Sequence, residues 1–157
     1  MLERIKRAIQ DPFDRYQFQK PYVPKSAPSA EEAIFPFNPA DYSIEPQSLK
    51  QMVDERQDFV MLDVRESWEN KVACIPGTTL IPLRDLPQRV HELNPRQEVV
   101  VYCHHGVRSL DAVYLLQQLG FKRVASLIGG IDQWSREIDR SIERYWVRGV
   151  PLPRTSI

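Results

Sequence analysis

The run Cys103-His104-His105-Gly106-Val107-Arg108-Ser109 sets one cysteine at the end of an apolar stretch and closes the turn after it with an arginine. Those residue types at that spacing suit a nucleophilic thiolate held in an anion-binding loop. The N–H groups of such a turn, and of the first turn of a helix after it, lack partners inside the helix and converge on one spot that favours negative charge. A thiolate at that spot gains further from Arg108 and from His104 or His105 when protonated, which raises the share of nucleophile at neutral pH. The alternative is a structural cysteine buried at a strand end. Glycine, arginine and two histidines so close to it are poor choices for a core and argue against that.

Elements on either side must hold this loop. Upstream, Glu98 to Tyr102 reads as a buried strand. Downstream, Ala112, Leu115, Leu116 and Leu119 fall on one face of a helix that Gly120 can end. The cysteine therefore sits at a strand-to-helix junction. The same texture recurs from Tyr42 onward. Tyr42-Ser43-Ile44 forms a short strand, Pro46 opens a helix carrying Leu49, Met52 and Val53, and Phe59 to Leu62 is an apolar strand ending in Asp63. Leu80-Ile81 is a weaker strand, Arg84 to Leu93 a short helix, and Val124 to Ile128 a last strand. There Gly129-Gly130 turns into a helix running through Trp134 to Ile138. Continuous apolar strands alternating with helices imply an α/β fold, a parallel sheet covered on both faces. Ligands of such sheets bind beyond the carboxyl ends of the strands, where Asp63, Cys103 and Gly129-Gly130 lie.

The chain has 157 residues, enough for one domain of about 100 residues with extensions. Twenty-one basic residues balance twenty-one acidic ones, so bulk attraction to nucleic acid or an anionic membrane is not expected. Two cysteines, Cys74 and Cys103, give no disulfide framework and fit a reducing cytoplasm. The charged N-terminal stretch lacks an apolar signal-peptide core, and no segment has the length of apolar residues that crosses a membrane. Residues 1–41 read as a short amphipathic helix followed by an extended arm rich in proline and aromatics. The arm is expected to lie against its own domain. Residues 42–146 form the domain, and 147–157 read as a C-terminal tail.

Four motifs in order, Leu62-Asp63-Val64-Arg65-Glu66, Ile75-Pro76-Gly77, Cys103 to Ser109, and Leu127-Ile128-Gly129-Gly130 through Trp134, together resemble a single rhodanese domain. The resemblance covers about Tyr42 to about Tyr145. It implies a rhodanese-like five-stranded parallel sheet flanked by helices on both faces. It also implies a sulfurtransferase that moves sulfane sulfur through a cysteine persulfide. On it, Cys103 carries the persulfide. His104, His105, Gly106, Val107 and Arg108 form the cradle around the outer sulfur, and Ser109 supports it. Asp63 and Arg65 match the family's Asp-x-Arg signature and brace the fold near the site, though a surface ion pair is the plainer reading of them. The sequence departs from the family where Ala73-Cys74-Ile75 replaces the usual Gly-His-Ile. Cys74 is then either a small apolar residue packed under the turn or a thiol that resolves an oxidised Cys103.

The implied reaction has two halves: the thiolate takes a sulfur from thiosulfate, a polysulfide or a persulfide, and a thiophilic acceptor removes it. A protein thiol or a sulfur-carrier protein fits as acceptor. No cofactor is called for. Two other classes compete. Cysteine phosphatases and arsenate reductases share the thiolate-in-a-loop device but place one residue more between cysteine and arginine, whereas Cys103 and Arg108 enclose four. A smaller ring suits a single sulfur atom. A protein-binding module on the same fold, without turnover, is the other alternative, prompted by the aromatic arm. His104 and His105 are candidates for tuning the rate between pH 6 and 8. His91 reads as a surface residue, and the histidine and cysteine spacings match no zinc site.

Overall fold

In the computed structural model the described residues are 37–146. The amphipathic helix, most of the proline-rich arm and the C-terminal tail expected from the sequence lie outside them. Five parallel strands form one sheet: β1 (Ser43–Ile44), β2 (Phe59–Asp63), β3 (Thr79–Leu80), β4 (Glu98–Tyr102) and β5 (Val124–Leu127), in the order β1-β5-β4-β2-β3. Five helices connect them: α1 (Pro46–Asp54), α2 (Ser67–Val72), α3 (Leu86–Arg89), α4 (Val107–Gln118) and α5 (Gly130–Glu137), with 3-10 turns at Pro39–Tyr42 and Val90–Glu92. This is the rhodanese-like architecture the motifs implied.

The central strand shows why its sequence is apolar throughout. Successive side chains of a strand point to opposite faces. Val99 and Val101 pack with Ala112, Val113 and Leu116 of α4 and with Leu86 of α3. Val100 and Tyr102 pack on the other face with Leu49 and Met52 of α1 and Ile131 and Trp134 of α5. Burying each such valine stabilises the fold by roughly 1.5–3 kcal/mol relative to leaving it exposed. β4 lies between β5 and β2, aligned with Val101 opposite Leu62 and Ser126, so the residue after Tyr102 emerges at the middle of the sheet.

Several local expectations shift. Tyr42 belongs to the 3-10 turn rather than to β1, and Phe37 stacks on its ring at 5.2 Å. Val53 of α1 faces solvent, because the stripe set by Leu49 and Met52 is narrower than the sequence pattern suggested. The third strand is Thr79–Leu80, one residue earlier, since Asp63 of β2 pairs with Leu80. The helix expected from Arg84 to Leu93 tightens after Arg89 into the 3-10 turn. α2 was not foreseen. It starts with a reciprocal cap in which the Glu66 side chain accepts from the Glu69 N–H while the Glu69 side chain accepts from the Glu66 N–H. Among the described residues no helix is long and apolar enough to cross a membrane.

Candidate functional site

Cys103 follows β4 directly and is only 1% exposed. The chain turns back sharply through Gly106, whose φ of +100° lies in the left-handed region that favours glycine. That turn points the Gly106 N–H at the Cys103 sulfur, 3.1 Å away. On the other side Cys103 Sγ donates to Ser109 Oγ at 3.5 Å, and Ser109 Oγ shares a 2.6 Å hydrogen bond with Ser126 Oγ of β5. The sulfur is thus fixed by one amide of the turn and by a hydroxyl pair anchored in the sheet.

The loop is fastened from outside as well. The Ile131 N–H donates to the Cys103 carbonyl at 2.9 Å and the Asp132 N–H to the His104 carbonyl at 3.1 Å. The start of α5 therefore uses its free N–H groups to hold the cysteine loop. So close an approach leaves no room for a side chain at Gly130. A Cβ there would lie 2.5 Å from the Cys103 carbonyl oxygen, and φ is already +58°. Gly130 of the Gly-Gly pair has this steric cause, whereas a side chain at Gly129 would meet that of Gln133.

Arg108, in the first turn of α4, reaches across the strand ends to α2. Its Nη1 donates to Glu69 Oε2 at 2.6 Å and its Nη2 to Oε1 at 2.8 Å. Burial alone would raise the Glu69 carboxyl, but the Arg108 hydrogen bonds and the Glu66 N–H outweigh it and hold Glu69 below the usual carboxylate range. Arg108 is correspondingly raised, against its own partial burial. The Tyr145 hydroxyl donates to Glu69 Oε1 at 2.9 Å and accepts from Arg65 Nη1 at 2.8 Å. Arg65 in turn forks onto Asp63, with Nε to Oδ1 at 2.9 Å and Nη2 to Oδ2 at 2.6 Å. Asp63 and Arg65 have no exposed surface at all, so the Asp-x-Arg pair is an interior tie and not a surface ion pair. Tyr102, whose hydroxyl donates to Asp63 Oδ2 at 3.0 Å, is pushed up to about 12 by burial and by that carboxylate.

The two histidines part company. His104 is buried, with its ring stacked on Tyr145 at 4.2 Å and on His105 at 3.9 Å. Burial first, and His105 second, push its pKa down to about 4. His104 is therefore neutral between pH 6 and 8 and supplies no charge to the thiolate, contrary to the sequence expectation. His105 is exposed, as are Val107 and His91.

Cys74 is also exposed, between the buried Ala73 and Ile75, so it does not pack under the turn. Its neighbours take that part: Arg65 Nη2 donates to the Ala73 carbonyl at 2.8 Å and the Ile75 N–H donates to the Tyr102 hydroxyl at 3.3 Å. Among the described residues no group of His, Cys, Asp or Glu could hold a metal ion.

Sequence reasoning named Cys103 to Ser109, Asp63 and Arg65, and the structure brings these together at the strand ends. It missed Glu69, Ser126 and Tyr145. Glu69 had a readable signal, the Glu66-x-x-Glu69 spacing of a capping box. Ser126 interrupts an apolar strand, which marks a buried hydroxyl that must find a partner. Tyr145 had no signal in spacing, because only the folded chain places it on the loop.

Comparison with known proteins is consistent with this geometry. The rhodanese-like domain family matches residues 45–137. The sulfurtransferase of Allochromatium vinosum is 36% identical over 93 residues, 59% of this chain and 87% of that protein. YrkF of Bacillus subtilis is 38% identical over 89 residues, 57% of this chain, though the match spans only 48% of the Bacillus protein. The crystal structure of a rhodanese-related protein from Thermoplasma volcanium superposes with a TM-score of 0.57 at 32% identity, covering 62% of this chain and 93% of that one. The family model matches more than half of the chain, 45–137, and on that match the chain belongs to the rhodanese-like domain family.

Proposed function

We propose that this protein is a sulfurtransferase in which Cys103 accepts a sulfane sulfur and passes it on. The observation that carries the reading is the Gly106 N–H aimed at the Cys103 sulfur at 3.1 Å, in a loop at the carboxyl end of the central strand. The same turn suits an anionic outer sulfur, since fixed backbone donors stabilise charge without having to reorganise. The Allochromatium relative named a sulfurtransferase aligns over most of its own length, which supports the same activity here.

In the first half-reaction the Cys103 thiolate attacks the outer sulfur of thiosulfate or a related donor. A bond forms between Cys103 Sγ and that sulfur, the donor's S–S bond breaks, and the remainder of the donor departs with the electron pair, as sulfite from thiosulfate or as a thiolate or shortened polysulfide from the other donors. In the second, a thiophilic acceptor, a protein thiol or a sulfur-carrier protein among the candidates, attacks the outer sulfur of the persulfide. The Cys103 thiolate is regenerated. This is ping-pong chemistry with a covalent intermediate. Ser109, tied to Ser126, keeps the sulfur in place through both halves, and Val107 of the same loop is exposed.

Intact-mass measurement of the reduced protein after mixing with thiosulfate or polysulfide tests this. The expected result is a gain of one sulfur on wild type, absent in Cys103→Ser and removed by cyanide or a thiol. No gain from either donor would overturn the proposal in favour of a binding module.

A further inference from the structure

Tyr145 lies outside the part of the chain that matches the family, in the segment that follows α5. It is nonetheless 2% exposed and makes two kinds of contact with the site. Its hydroxyl bridges Arg65 Nη1 and Glu69 Oε1, at 2.8 and 2.9 Å. Its ring lies almost parallel to that of His104, 9° apart in plane and 4.2 Å between centroids. Glu69 grips Arg108 at the far end of the cysteine loop, while His104 is the loop residue next to the cysteine. One side chain thus touches the holder of the loop's far end and a residue of its near end.

The segment carrying Tyr145 is itself secured. Ser135 Oγ donates to the Ile142 carbonyl at 2.7 Å, Ile142 is buried, and Arg144 Nε donates to Asp132 Oδ1 at 2.8 Å. Trp68 of α2 meets the Tyr145 ring edge-on at 6.0 Å. These contacts fix where the ring and hydroxyl sit, so Tyr145 can hold other groups rather than follow them.

We propose that Tyr145 is a positioning residue for the sulfur-accepting loop, acting through its hydroxyl on the Glu69–Arg108 pair and through its ring on His104. This rests on the sulfurtransferase reading of Cys103. Tyr145 touches neither the sulfur nor the donor. Its loss therefore acts on the rate at saturating donor and leaves KM nearly unchanged, because the loop samples more arrangements in which the turn amide misses the sulfur.

The ring and the hydroxyl are separable. Tyr145→Phe keeps the stack and removes the bridge, whereas Tyr145→Leu removes both. The groups that face the His104 ring are Tyr145, His105, Glu69, Asp132 and Arg108. Of these, Tyr145 covers one face of the ring with an uncharged aromatic surface. Opening that side lets water reach the imidazole and favours its protonated form.

The test measures single-turnover persulfide formation from thiosulfate or polysulfide by intact mass, normalised to folded protein, together with an NMR titration of the His104 ring. Tyr145→Phe is expected to slow saturated persulfide formation roughly tenfold with His104 titrating as in wild type. Tyr145→Leu is expected to slow it further and to move the His104 midpoint upward toward the ordinary histidine range. Rates within twofold of wild type in Tyr145→Phe would overturn the hydroxyl's part. An unmoved His104 midpoint in Tyr145→Leu would overturn the ring's part. If Tyr145→Leu fails to fold, the rate and the KM of Tyr145→Phe still decide, since a merely structural tyrosine would lower the melting temperature and leave both as they are. Absence of any sulfur gain on wild type would instead defeat the sulfurtransferase reading itself, and the titration distinguishes that failure from this one.

Discussion

Arg108 sets both terminal nitrogens of its guanidinium on the Glu69 carboxylate, at 2.6 and 2.8 Å, and so ties the end of the cysteine loop to a helix across the strand ends. Glu69→Gln leaves the half-buried Arg108 charge without its partner. The expected cost is about 1–3 kcal/mol in urea unfolding at neutral pH, with slower persulfide formation. Because the folded Glu69 sits below the ordinary glutamate value of 4.5, its contribution is present above that pH and is lost as pH falls through the lower folded value. Glu69→Gln should therefore lose less stability than wild type on acidification. Equal acid sensitivity of the two proteins would count against the pairing.

His104 titrates in the opposite sense from a histidine that gains an acidic partner. Its folded value of about 4 lies under the unfolded 6.5, so the unfolded chain binds the proton more readily between those limits. Stability contributed by the neutral ring is present above pH 6.5 and declines as pH falls toward 4, by on the order of 1–2 kcal/mol once partial solvent access is allowed for. His104→Gln should flatten the stability–pH curve in that window. It should leave the shape of the pH–rate profile between 6 and 8 unchanged, and a changed shape there would show that His104 carries charge in the reaction.

Gly130→Ala places a methyl group 2.5 Å from the Cys103 carbonyl oxygen at a φ of +58°. Neither backbone can retreat without breaking the Ile131 and Asp132 hydrogen bonds to the loop. A loss of roughly 2–4 kcal/mol and of most persulfide formation is expected. Gly77→Ala is the control, with a similar φ of +78° and nothing within 4 Å of the added carbon, and should cost stability alone.

Arg65→Lys removes a fork from a pair with no exposed surface. Lysine cannot satisfy Asp63, the Ala73 carbonyl and the Tyr145 hydroxyl together. Unfolding measurements should show a loss of about 1–3 kcal/mol, the cost of leaving a buried acceptor without its hydrogen bond while the charge itself is kept. A loss under about 1 kcal/mol, as for an exposed pair, would mean that the tie is dispensable.

The sheet and the cysteine loop were legible because their signals are local. A five-residue apolar strand ending in a cysteine, a glycine where the turn needs positive φ, and a helix with a defined apolar stripe each announce themselves within a dozen residues. α2 escaped because Trp68, Asn70 and Lys71 give it no apolar stripe, and its capping box was the one sign of it. The role of Arg108 was half readable. Its place at the loop end was plain, but its partner sits 39 residues earlier on another element. The neutrality of His104 was unreadable, since it comes first from burial of the ring in the folded chain and then from His105 beside it. Side chains that act on a site from a distance in sequence leave no pattern in it.

The two thiols of this chain differ most in size selectivity. Cys103 is almost wholly enclosed while Cys74 lies open on the surface. A bulky maleimide will therefore mark the peripheral cysteine first and report nothing about the central one. Small reagents, and a single incoming sulfur atom, are the probes matched to the inner thiol. Blocking Cys74 beforehand turns the same asymmetry into a means of loading and labelling Cys103 alone.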